Sequence, residues 1–178
     1  MIFVETPLAG AYAIEVEPQA DERGIFARVM CRDEFARYGL SVAFIQQSIS
    51  WNLVAGTLRG LHYQGAPYAE DKLVRVTRGA VFDVIVDIRQ DSSTYGQWFG
   101  IELSAENRRQ LYIPKGFAHG FQTTRPDTEV FYQMTVAFHT AAQRGIRWDD
   151  PRLAIGWPDA ASRLVSPKDR DLPLFLSL

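Results

Sequence analysis

Short runs of alternating apolar and polar residues, rich in β-branched and aromatic side chains, recur along most of the chain between glycine, proline and aspartate. A period of two is the signature of strands with one buried face. It marks ten segments: residues 11–18, 24–30, 42–50, 56–64, 72–79, 80–89, 97–103, 109–114, 119–124 and 128–138. So many short strands, with no intervening long helices, predict an all-β sandwich or barrel. CRDEFARYGL, residues 31–40, departs from the rhythm; acid in its first turn and glycine near its end predict a helix. Residues 104–109 and 166–175 each predict at most a helical turn. Gly79, Gly96, Gly100, Gly116 and Gly120 read as turns between strands.

Composition narrows this to a single domain over residues 1–178, with 47% hydrophobic residues to build its core. A net charge of −2 offers no general attraction to nucleic acid, and the apolar runs are too short for a membrane span. The expected partner is a small molecule or a protein. The first basic residue is Arg23, so the N-terminal stretch does not resemble a secretory signal and a cytoplasmic location is expected. Cys31 is the single cysteine, expected to pack as a small residue, and no disulfide or multi-cysteine metal site follows from it. DSSTYGQW, residues 91–98, lacks the glycine spacing and lysine of a phosphate-binding loop and reads as a surface turn.

Chemistry concentrates on three histidines. In TLRGLHYQ, residues 57–64, strict alternation sets Arg59 and His62 on opposite faces. They share a cavity only if the strand is irregular, and Gly60 is the residue that permits a bulge. IPKGFAHGF, residues 113–121, carries His119 in a pattern similar to the second cupin motif. The glutamate a metal-binding cupin would supply after its first histidine is replaced by Gln64, so zinc or iron chemistry is not expected. His139 reads as a surface residue at a strand end. Arg23, Arg59, Lys72 and Lys168 each adjoin a glycine, an aromatic or a strand, and their convergence would suit a diphosphate.

Taken in order, DERGIFAR, GTLRGLHYQ, the long block from Asp71 to Phe121, EVFYQMT, RGIRWDDP and SPKD resemble the dTDP-4-dehydrorhamnose 3,5-epimerase family over residues 5–173. The resemblance implies a cupin-like jelly-roll barrel with a few short helices, working as a homodimer without metal or organic cofactor. The implied substrate is a nucleotide-diphosphate 4-keto-6-deoxyhexose, used in deoxysugar and surface-polysaccharide biosynthesis. Its ketone acidifies the hydrogens on carbons 3 and 5, so inversion needs a base on one face, an acid on the other and a cation for the enolate.

By position, the resemblance makes His62 the base, Asp169 the carboxylate that orients it, Tyr132 the opposing acid and Lys72 the cation near the enolate. Asp171 is the rival to Asp169. Arg59, His119 and Lys168 match contacts to the diphosphate and nucleotide sugar. Arg23 and Phe26 match contacts to phosphate and base that can reach across a dimer, and Gln46, Ser48 and Ser50 lie on a strand facing the pocket.

Four positions depart from the family pattern. Arg28 replaces a glutamate that accepts from thymine; an arginine only donates, which suits cytosine or guanine acceptors unless the side chain turns to solvent and stacking holds the base. Ser48 replaces an asparagine, Phe138 a tyrosine and Gln143 a glutamate. The residues therefore leave open an epimerase or keto-isomerase acting at a single carbon of a CDP-, GDP- or dTDP-linked sugar. They also leave open a non-catalytic sugar-nucleotide-binding module.

Overall fold

The computed structural model describes residues 1–175, in which fourteen strands and two short helices follow one another. In chain order these are β1 Ile2–Glu5, β2 Tyr12–Glu15, β3 Gln19–Asp21, β4 Gly24–Phe26, α1 Arg32–Ala36, β5 Gln46–Asn52, β6 Thr57–Gln64, β7 Lys72–Arg78 and β8 Ala80–Asp87. There follow β9 Trp98–Ser104, β10 Gln110–Ile113, β11 Phe117–Thr123, β12 Thr128–Met134, β13 Gln143–Gly145, β14 Leu164–Val165 and α2 Pro167–Arg170. One six-stranded sheet has the order β1-β2-β10-β7-β12-β5. The second runs β13-β6-β11-β8-β9, with β14 added parallel to β6. β3 and β4 form a separate hairpin.

The two large sheets face one another in the jelly-roll manner. Val74, Val76, Leu111, Ile113 and Val130 from the first sheet pack against Val81, Ile85, Leu103, Phe117 and Phe121 from the second. Alternation along β8 explains its nearly continuous apolar sequence: Val81 and Ile85 join this inner core, while Val84 and Val86 join an outer one. That outer face is covered by Ile146, Leu153 and Phe175, so both faces of β8 are buried. Among the described residues no helix is long and apolar enough to cross a membrane.

The structure departs from several sequence expectations. The helix expected over 31–40 stops at Ala36, because the Leu40 N–H bonds back to Phe35 and the Gly39 N–H to Ala36, with Gly39 at φ +69°. This pair of bonds is a Schellman ending, which closes a helix at glycine. Gly79, Gly96 and Gly116 do sit in turns at positive φ, but Gly100 and Gly120 lie inside β9 and β11. A Cβ on Gly100 would overlap the Phe82 ring, and one on Gly120 would sit 2.7 Å from the Arg59 carbonyl oxygen. Close approach of neighbouring strands, not chain reversal, requires these two glycines. β1, β3, β13 and β14 were not marked by alternation, being two to four residues long and defined by their partners. His139 is not a free surface side chain; its ring stacks on Tyr68 with centroids 3.9 Å apart.

Candidate active site

The bulge expected in β6 is present and shapes the site. Between its two pairings with β11, β6 advances from Arg59 to His62 while β11 moves only from Phe121 to His119. β6 thus holds one residue more than its partner, which is how a bulge restores two side chains to one face. Gly60 takes up the irregularity at φ +117°, backed against Gly120, where any Cβ would lie 2.7 Å from the Gly120 Cα. Leu61 consequently packs into the outer core, and Arg59 and His62 both open into the space between the sheets.

That space is a cavity of about 620 Å³. His62, Arg59 and His119 line it from the second sheet; Lys72, Tyr132, Gln46, Ser48 and Ser50 line it from the first. Lys168 and Asp169 close it from α2, and Gln143 and Phe138 lie at its rim. Base and acid candidates therefore approach a bound sugar from facing walls.

His62 Nε2 lies 2.7 Å from Asp169 Oδ1, and the other carboxylate oxygen accepts the Gly60 N–H at 3.3 Å. Asp169 is held in turn by the helix it belongs to: Ser166 caps α2 by accepting the Asp169 N–H, and Pro167 occupies the first helical position. Burial opposes ionisation of Asp169, yet the hydrogen bond and charge of His62, with the Gly60 N–H, hold its carboxyl below the usual carboxylate range. Asp171, the rival, is exposed at the end of α2.

Tyr132 is opposite. Burial, with the nearby Asp83 charge, pushes its phenol well above the ordinary tyrosine value, against a smaller lowering by Arg59. It stays protonated at any working pH, as a proton donor must. The His119 ring stands edge-on to Tyr132 at 6.0 Å, and its Nε2 lies 3.0 Å from both oxygens of buried Asp83. Arg59 is steered by Asn52, whose Oδ1 accepts from Nε at 2.8 Å. Lys168 donates to Gln143 at 2.7 Å, and Gln46 Oε1 accepts the Phe138 N–H at 2.9 Å. Among the described residues no three His, Cys, Asp or Glu side chains come together as a metal site requires.

The model of the dTDP-4-dehydrorhamnose 3,5-epimerase family matches residues 5–177. The chain belongs to that family. It is 46% identical over 171 residues to the dTDP-4-dehydrorhamnose 3,5-epimerase of Methanothermobacter thermautotrophicus, covering 95% of this chain and 91% of the relative. The crystal structure of the Bacillus anthracis epimerase with TDP and PPi bound superposes with a TM-score of 0.93 at 43% identity, covering 97% of this chain and 98% of that one. The Legionella pneumophila dTDP-6-deoxy-D-glucose-3,5-epimerase, solved with dTDP-4-keto-L-rhamnose, gives a TM-score of 0.92 at 40% identity, with 98% and 93% covered.

Within this epimerase fold, three expected site residues stand apart from the cavity of their own chain. Arg23 and Phe26 lie on the β3–β4 hairpin, Arg23 tied to Asp21 and Phe26 76% exposed. Arg28 donates to Glu34 at 2.7 Å, and Glu34 also holds the N-terminal ammonium. The guanidinium, 63% exposed, is thus paired outside the cavity of its own chain.

Sequence reasoning missed three residues that orient the expected ones: Asn52, Asp83 and Ser166. Asp83 carried a signal, an acid inside the apolar run AVFDVIVD. So did Ser166, a capping residue followed by proline. Asn52 carried none, because its partner comes from another strand.

Proposed function

We propose that this protein inverts carbons 3 and 5 of a dTDP-linked 4-keto-6-deoxyhexose in the manner of its family, serving dTDP-rhamnose biosynthesis. The observation that carries the reading is the 2.7 Å contact of His62 with buried Asp169, in one cavity with Tyr132 and Lys72. His62 takes the proton from the carbon beside the ketone, and Asp169 stabilises the imidazolium that forms. The charge moves to the ketone oxygen, where the Lys72 ammonium meets it. Tyr132 then delivers a proton from the other sheet, inverting the centre. Repeating the cycle at the second carbon requires the sugar ring to turn, not a second set of residues. Arg59, His119 and Lys168 bind the diphosphate and sugar, with Gln46, Ser48 and Gln143 around them.

The working form in this proposal is a homodimer in which Arg23 and Phe26 of each subunit complete the other's site. Its support is the exposure of Phe26, with that of Ile45, Ile49, Trp51 and Leu53 on and beside β5, an apolar surface that a second copy would cover. Thymine is held by stacking, since Arg28 is paired with Glu34.

Incubation with dTDP-4-keto-6-deoxyglucose in D2O, followed by NMR, tests the reaction. Deuterium at both carbons 3 and 5 is expected. Incorporation at one carbon reassigns the protein as a single-site epimerase or isomerase. No incorporation, or full activity in His62→Ala, overturns the reading, and bound dTDP with no exchange makes it a binding module. A thermal-shift panel of dTDP, CDP, GDP and UDP checks the nucleotide, because a ligand of the native state raises the melting temperature.

A further inference from the structure

Glu70 belongs to none of the expected contacts, yet its carboxylate is almost fully buried against the cavity and borders Lys72. One oxygen, Oε1, is 3.1 Å from the Lys72 Nζ. The other, Oε2, accepts from Gln64 Nε2 at 2.9 Å. The orientation of that Gln64 amide is settled by backbone groups on two other segments. Its oxygen accepts the His139 N–H at 2.6 Å, and its two N–H hydrogens, shared with Glu70, also face the carbonyls of Tyr68 at 3.1 Å and Ala137 at 3.3 Å. An amide that flipped would place donor against donor at His139 and acceptor against acceptor at both carbonyls. Gln64 therefore presents its N–H2 to Glu70, and Glu70 is left with Oε1 for the lysine.

The neighbouring residue anchors the same stretch from outside. The Asp71 N–H donates to Thr135 Oγ1 at 2.9 Å, and Asp71 Oδ1 accepts the Lys115 N–H at 2.9 Å. The backbone carrying Glu70 is thus fixed on both sides.

We infer that Glu70, oriented by Gln64, is a positioning residue that holds the Lys72 ammonium where the enolate oxygen develops. The inference rests on the reaction proposed above. A lysine has a flexible four-carbon stem, and electrostatic stabilisation is worth most when the charge is in place before the reaction begins. Glu70 supplies that placement. It is not itself a base toward the sugar, because both of its oxygens are occupied by donors. Gln64, at the position where a metal-binding cupin carries a glutamate ligand, instead forms part of the wall that fixes the lysine.

The test compares Glu70→Ala, Glu70→Gln, Lys72→Ala and the Glu70→Ala/Lys72→Ala double variant, with dTDP-4-keto-6-deoxyglucose in D2O. A contact realised chiefly in the transition state lowers kcat more than it raises KM. Glu70→Ala is expected to lose about 10- to 100-fold in kcat, with KM within about threefold, on the scale of a displaced electrostatic group. Glu70→Gln keeps one acceptor oxygen for two donors, the Gln64 N–H2 and the Lys72 ammonium, and should recover only part of that loss. Because Glu70 acts through Lys72, the double variant should be no worse than Lys72→Ala alone. If Glu70→Ala fails to fold, Glu70→Met, close in volume and lacking an acceptor, carries the same comparison. Wild-type kcat in the variant without an acceptor, a loss confined to KM, or additive losses in the double variant would overturn the inference. A wild-type protein that shows no exchange overturns the proposed reaction instead.

Discussion

Replacing Gly60 with alanine tests the link between local backbone geometry and the site. Gly60 sits at φ +117°, a conformation that costs a residue with a Cβ about 1–3 kcal/mol. The new methyl would also lie 2.7 Å from the Gly120 Cα and 2.8 Å from the His119 carbonyl oxygen, both backbone atoms in the adjoining strand. Neither can rotate away, so relief requires β6 and β11 to part. Each ladder hydrogen bond lost costs about 1 kcal/mol, which brings the expected destabilisation to about 3–5 kcal/mol. A chain that escapes by losing the bulge moves Arg59 to the face opposite His62. Either route lowers exchange activity by more than about 100-fold, the loss expected when reacting groups are displaced by an ångström or more. Urea unfolding gives the stability change, and deuterium incorporation gives the activity. Gly156→Ala is the control, since its nearest neighbour for an added Cβ is Trp98 at 4.0 Å; it should stay within about 1 kcal/mol of the parent. Gly60→Ala within about 1 kcal/mol of the parent, with activity inside a factor of three, would refute the reasoning.

Asp169→Asn removes the charge beside His62, and a hydrogen bond to a charged group contributes about 1.5–3 kcal/mol, so steady-state kinetics should show kcat down about 10- to 150-fold with KM little changed. Tyr132→Phe should abolish inversion while His62 continues to exchange the acidic hydrogen with solvent, which chiral analysis of the deuterated product detects; unimpaired inversion contradicts the assignment. Because the Tyr132 phenol is raised far above its ordinary value, kcat should show no alkaline loss attributable to it below about pH 10. Asp87, buried at the end of β8, accepts from Arg89, Ser92 and Thr94. Burial opposes its ionisation, but those donors prevail and lower its carboxyl from 3.8 to about 2. The ionised form is the stabilised one, so about 2 kcal/mol is present above pH 4 and is lost as pH falls toward 2. Urea titrations across that window should show the decline in the parent and a flatter profile in Asp87→Asn.

What the chain order determined by itself was the class of fold and the identity of most of the groups that meet. Period-two alternation is a local property, and the segments it marks fold as β2 and β4 to β12, most of which bury one face or both. The histidine, tyrosine and lysine stood out because their motifs occur in a fixed order, and Gly60 stood out because alternation separated two residues that one pocket would need together. Asp169 was legible through its place in SPKD.

Tertiary structure decided the rest. β1, β13 and β14 are strands only because a neighbour supplies their hydrogen bonds, so nothing in so few residues announces them. Gly100 and Gly120 are small because another strand lies against them, a fact absent from their own segments. Arg28 turned to Glu34, which helix α1 brings beside it. Asn52 steers Arg59 and Glu70 holds Lys72 through contacts made in the folded chain. Side-chain type and spacing name the groups that can react, whereas their orientation depends on partners that only folding brings within hydrogen-bond distance.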